Sequence, residues 1–115
     1  MFELAKTPLG KFVVGIAFGK LTKLLPVKRV SQNKYYLAFY HPKPSYKIHI
    51  LIIPKKGIRN LQFIDEKNEI YITECIKAVG KIAKDLKLEK DGYRLIANGG
   101  KHQEIPQLHF HLISQ

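Results

Sequence analysis

The chain has 115 residues, 45% of them apolar, which is the size of one ordinary domain with a single core. A lone cysteine, Cys75, excludes a disulfide scaffold, and 20 basic against 9 acidic residues give a net charge of +11 that favours anionic partners. Met1–Lys6 lacks the basic, apolar and small-residue order of a secretory signal, and the apolar run from Phe12 to Phe18 falls short of the ~20 residues of a spanning helix, so a soluble cytoplasmic protein is expected.

Thr7-Pro8 reads as a helix start, with Thr as cap and Pro pre-set for the first helical position. Phe12, Val13, Ile16, Ala17, Leu21, Leu24 and Leu25 then recur at helical spacing, so a helix is predicted over 7–25, stopped by Pro26. Val27–Val30 and Tyr35–Tyr40 read as short strands joined by a turn at Ser31-Gln32-Asn33. His41-Pro42-Lys43-Pro44-Ser45 is a loop stiffened by its prolines, and Ile48–Ile53 is a buried strand ended by Pro54-Lys55-Lys56-Gly57. Ile72, Cys75, Ile76, Val79, Ile82, Ala83 and Leu86 mark a second helix over 68–86, on whose apolar face Cys75 is a small buried hydrophobe. Tyr93–Ala97 reads as a strand, Asn98-Gly99-Gly100-Lys101 as a loop and Gln107–Ile113 as the last strand. Short connections within the strand pairs imply an antiparallel sheet with helices packed on it, an α+β fold, in one domain spanning 1–115.

The segment Gln107-Leu108-His109-Phe110-His111-Leu112-Ile113 carries the chemistry. Strand alternation puts Gln107, His109 and His111 on one face and Leu108, Phe110 and Leu112 on the other. His49 interrupts the otherwise apolar run Ile48–Ile53, and a polar group there needs a partner. If the two strands are neighbours, His49 meets His109 and His111. Three chemistries suit such a cluster: a metal site, a nucleophilic imidazole that attacks phosphorus, or edge-strand histidines bonded to backbone. No acidic residue sits at an obvious metal-ligand spacing. Gly99-Gly100 is first a turn signal and second a phosphate cradle, and His102 reads as an exposed loop residue. Tyr35, Tyr36, Tyr40 and Tyr46 among lysines fit half-buried strand positions better than a single-strand nucleic-acid surface.

These residues resemble the histidine triad (HIT) superfamily, whose signature is His-φ-His-φ-His-φ-φ with φ apolar. Upstream, Ala38-Phe39-Tyr40-His41, Pro44 and His49-Ile50-Leu51-Ile52-Ile53-Pro54-Lys55-Lys56 are similar to the stretch that precedes it in the family, and Asn98-Gly99-Gly100 with Gln103 also fits, so the resemblance covers 35–115. It implies a HIT-like α+β antiparallel meander with two main helices. It also implies a nucleotide-binding phosphoramidase or hydrolase acting on the α-phosphate of a nucleoside monophosphate ester or amide. The ligand is then a purine nucleotide or nucleoside phosphoramidate, with no cofactor and no metal, in a homodimer whose sheets join. By the same resemblance His109 is the nucleophile, its other ring nitrogen held by the carbonyl of Gln107, while His111 and His49 polarise phosphate oxygens and relay protons. Nucleotide contacts fall at Phe39, His41, Pro42, Asn98, Gln103 and Glu104.

Three positions depart from the pattern. Gln107 replaces the first histidine of the signature, and an amide donates and accepts hydrogen bonds but takes up no proton at neutral pH. His41 stands where the family has a ribose-binding aspartate. Glu104 stands where related proteins often carry serine beside the leaving group. These departures keep a second reading open, a nucleotide-binding module with weak or no turnover. A charge-driven nucleic-acid binder is the remaining rival, although nucleic acid is not the expected partner.

Overall fold

The computed structural model describes residues 7–17 and 27–115. Its elements in chain order are α1 (Pro8–Ala17), β1 (Arg29–Gln32), β2 (Tyr36–Tyr40), β3 (Ile48–Pro54), α2 (Glu69–Asp85), β4 (Arg94–Ala97) and β5 (Phe110–Ser114). Every strand pairing is antiparallel, and the sheet order is β1-β2-β3-β5-β4. β1 to β3 form a meander; the chain then crosses through α2, places β4 at the far edge and returns β5 between β4 and β3. The fold is α+β, as the sequence pattern indicates.

α1 begins where Thr7-Pro8 suggests, with the Thr7 hydroxyl accepting the Gly10 N–H at 3.1 Å. The described helix ends at Ala17, and the predicted continuation through Leu21, Leu24, Leu25 and the stop at Pro26 lies outside the described residues. β1 is Arg29–Gln32, not Val27–Val30, so Ser31 and Gln32 belong to the strand rather than to the turn. They pair with Ala38 and Leu37, because the reversal is made further on by Asn33, whose side-chain oxygen accepts the N–H groups of Tyr35 and Tyr36 at 2.7 and 3.2 Å.

The last strand also starts later than its alternation suggests, at Phe110 instead of Gln107. Ile52 pairs with Phe110, and continuing that register would set Leu108 opposite Pro54, which has no N–H to give. The ladder therefore stops, and the Leu108 N–H turns instead to the carbonyl of Ile58 at 2.8 Å.

Alternation along the strands sorts the interior into two cores. Ala38, Ile50, Ile52, Phe110 and Leu112 face α2 and meet Cys75, Val79 and Ile82. Leu37, Phe39, Leu51 and Ile53 face α1 and meet Phe12, Val13 and Ile16. Each fully buried Leu, Ile or Phe contributes roughly 1.5–3 kcal/mol. The Phe12 and Phe39 rings pack edge to face at 5.4 Å between centroids. Cys75 is fully buried, and burial, aided by Glu74, pushes its thiol up to about 12. Ile76 departs from its predicted role in the apolar stripe: it is 46% exposed, because α2 turns that side outward.

Candidate active site

His49, Leu51 and Ile53 share the α1 face of β3, and Leu51 pairs directly with His111 on β5. His49 is thus diagonal to His111 on the same face, in the part of the sheet beyond the cover of α1. The rings of His41, His49, His111 and His109 stand in a row: 4.4 Å separates the first two centroids, 5.2 Å the next two and 5.1 Å the last two. They open onto a cavity of about 610 Å³, a size suited to a small organic ligand. Its other walls are the first turn of α1 (Thr7, Pro8, Leu9), the loop residues Pro42, Lys43 and Ser45, and Asn98, His102, Glu104 and Ile105.

Backbone donors assign the tautomers. The Ser45 N–H donates to His49 Nδ1 at 3.1 Å, so a neutral His49 carries its proton on Nε2. His49 Nε2 lies 2.9 Å from His111 Nδ1 and donates to it, which leaves the His111 proton on Nε2. His109 Nδ1 donates to the backbone carbonyl of Gln107 at 2.8 Å, leaving Nε2 as the ring nitrogen with a free lone pair. The Lys43 N–H donates to His41 Nδ1 at 3.0 Å, so His41 also carries its proton on Nε2.

Burial and mutual repulsion keep the row uncharged. His111 is pushed down to about 3, first by burial and then by His109, His49 and His41. His49 is pushed down to about 4 by burial and by His41. His41 is lowered by burial and by His109; for His109 the lowering by burial outweighs the opposing bond to the Gln107 carbonyl. A neutral imidazole is what a nucleophile or a hydrogen-bond donor to phosphate requires.

This has a consequence for stability. His49 and His111 bind protons less well in the fold than at the ordinary value of 6.5, so the unfolded chain takes up more protons as pH falls. Their contribution is complete above pH 6.5 and is lost as pH drops towards about 4 for His49 and about 3 for His111. Each adds a slope of about 1.4 kcal/mol per pH unit within that window. Denaturation midpoints followed from pH 7 to 4.5 are expected to fall less steeply in His111→Asn than in the parent, by about one proton. Equal slopes would show that His111 does not exclude its proton in the fold.

The sequence-derived residues divide into two groups. His41, Pro42, His49, Asn98, Glu104, His109 and His111 line the cavity together. Phe39 lies instead in the core under α1, and the Gln103 amide donates to the carbonyls of Arg59 and Ile105 at 2.6 and 3.0 Å. Gln107 is 1% exposed and its side chain leaves the histidine face: it accepts the Ile58 N–H and donates to the carbonyls of Lys56 and Leu108. Its contribution to the site is its backbone carbonyl. The side-chain alternation predicted for Gln107, His109 and His111 therefore holds for the two histidines alone, because the Gln107 amide is drawn to the Ile58 N–H and the Lys56 carbonyl. His102, read as a plain loop residue, is exposed yet lines the cavity. The first turn of α1, Lys43 and Ser45 were not marked as site residues by sequence reasoning; the cue for the loop pair is the proline-stiffened His41–Ser45 segment. The metal reading lacks its ligand set: among the described residues no group of three or more His, Cys, Asp or Glu is disposed to hold an ion, and His49 and His111 spend facing nitrogens on each other.

Fold and site together define an α+β protein with a histidine cluster at one end of a five-stranded antiparallel sheet. Residues 23–115 match the HIT domain family, and the chain belongs to it. It is 40% identical over 99 residues to a HIT-like protein of Buchnera aphidicola subsp. Baizongia pistaciae, spanning 84% of this chain and 88% of the relative. Its structure is similar to that of a HIT family hydrolase from Clostridium thermocellum, with a TM-score of 0.73 and 35% identity over 79% of this chain and 81% of the other. It is also similar to a histidine triad nucleotide-binding protein from Candida albicans, with a TM-score of 0.68 and 29% identity over 76% of this chain and 65% of the other. Among the described residues no helix is long and apolar enough to cross a membrane.

Proposed function

We propose that the chain is a nucleotide-binding phosphoramidase or hydrolase that works through a histidine nucleophile. The observation that carries this reading is the bond from His109 Nδ1 to the Gln107 carbonyl, which leaves the Nε2 lone pair of a neutral ring available at the cavity. Nε2 attacks the α-phosphorus of a nucleoside 5′-phosphoramidate. The N–P bond to His109 forms, the bond from phosphorus to the leaving nitrogen breaks, and that nitrogen departs as an amine after taking a proton. Water then attacks phosphorus and releases a proton to solvent, the bond to His109 breaks with its electron pair returning to Nε2, and the nucleoside monophosphate leaves a neutral ring behind. Through both steps the Nδ1–H donates to the Gln107 carbonyl, an acceptor that steadies the positive charge developed on the substituted imidazole. His111 donates through Nε2–H to a phosphoryl oxygen, and His49 holds it in that tautomer through the 2.9 Å bond. Glu104 lines the same cavity, and in this reading it hands a proton from solvent water to the leaving nitrogen.

The names of the similar structures, one a hydrolase and one a nucleotide-binding protein, support the same reading. A homodimer accords with β4, which among the described residues pairs only with β5, and with the exposure of Leu95 on it and Tyr93 just before it, 37% and 46%. The test is hydrolysis of adenosine 5′-phosphoramidate to AMP and ammonia by the purified protein. Calorimetric binding of AMP without any hydrolysis would instead favour a binding module.

A further inference from the structure

All five histidines of the chain line one cavity, together with Lys43. A phosphoryl group reacting at His109 engages His109 and His111. That leaves His41 and Lys43 at the other end of the row with no part in the reaction. The Lys43 N–H fills the Nδ1 acceptor of His41, so the ring can offer its surroundings a donor, Nε2–H. The His49 ring packs against it, 4.4 Å away between centroids and tilted by 30°. Lys43 adds a full positive charge on an exposed, unburied stem. The first turn of α1, Thr7 to Leu9, forms another wall, so the positive end of that helix dipole also borders the cavity. Among the described lining residues Glu104 is the sole carboxylate, and it lies on the segment before β5 rather than on the His41–Ser45 loop, so no acidic side chain of that loop opposes an anion there.

We infer that the His41–Lys43 end of the cavity binds a second anionic group of the substrate, so that a nucleoside 5′-phosphate carrying a further phosphate on its sugar binds more tightly than one with free ribose hydroxyls. The inference rests on the phosphoryl site proposed at His109. One phosphoryl group meets His109 and His111, while the other accepts from His41 Nε2–H and lies beside the Lys43 ammonium.

Titration calorimetry at pH 7 with AMP and with adenosine 3′,5′-bisphosphate tests it on the full chain. The bisphosphate is expected to bind at least tenfold more tightly. Lys43→Ala, which alters an exposed side chain and leaves the core intact, is expected to cut that preference severalfold. His41→Asp, which exchanges the donor for an acceptor, is expected to turn it in favour of AMP. Equal affinities for the two ligands, or a preference that neither variant changes, would overturn the second anion site while the phosphoryl site at His109 stands. If neither nucleotide bound, both sites would be removed.

Discussion

His109→Ala is expected to lower phosphoramidate hydrolysis by about a thousandfold or more, with the chain still folded. A thousandfold loss corresponds to roughly 4 kcal/mol of transition-state stabilisation. The ring is placed by one bond from Nδ1 to the Gln107 carbonyl, and its other nitrogen faces the cavity, so truncation removes the nucleophile and little of the scaffold. The Phe110 and Leu112 side chains that follow on β5 pack on the α2 face and are untouched by the change. Steady-state rates with adenosine 5′-phosphoramidate, beside circular dichroism of both proteins, make the comparison. A variant that retains a tenth of the parent rate would assign attack to a group other than His109.

Gln107→Ala is expected to destabilise the fold by about 2–6 kcal/mol, the sum of leaving a buried donor and a partly buried acceptor without partners at roughly 1–3 kcal/mol each. The groups orphaned are the Ile58 N–H, 3.1 Å from the Gln107 oxygen, and the Lys56 carbonyl, 3.0 Å from its nitrogen. Gln107→Glu has nearly the same shape but places acceptors against the carbonyls of Lys56 and Leu108, so it is expected to lose stability as well. Urea denaturation measures both. Gln107→His restores the family signature, yet it is not expected to raise turnover, because this side chain is directed at the segment after β3 and not at the phosphoryl pocket. A large gain in rate would show that the position relays a proton.

Much of this architecture was legible because the deciding information is local. The apolar stripe of α2 and the unbroken run of β3 need only their own spacing, and His-x-His on a strand puts two imidazoles on one face whatever surrounds them. Most of the features that escaped reading depend on residues far apart in sequence; the turn at Asn33 is the local exception. β5 starts at Phe110 because Pro54, on another strand, lacks a donor. The reversal after β1 belongs to Asn33 because its side chain can satisfy two backbone N–H groups at once, which displaces the turn from Ser31. The direction of the Gln107 amide follows from the Ile58 N–H and the Lys56 carbonyl of the segment beside it. The α1 turn becomes a cavity wall through docking on Phe39, Leu51 and Ile53, which helical periodicity alone does not reveal.

The central claim concerns a covalent bond to one nitrogen, and it can be observed directly. The protein is mixed with excess adenosine 5′-phosphoramidate, quenched rapidly in base and weighed intact, and the modified peptide is then mapped. The account predicts a gain of one adenylyl group, located on His109 and lost in His109→Ala. Consumption of the substrate with an unmodified protein, or an adduct located on His41, His49, His102 or His111, would contradict it.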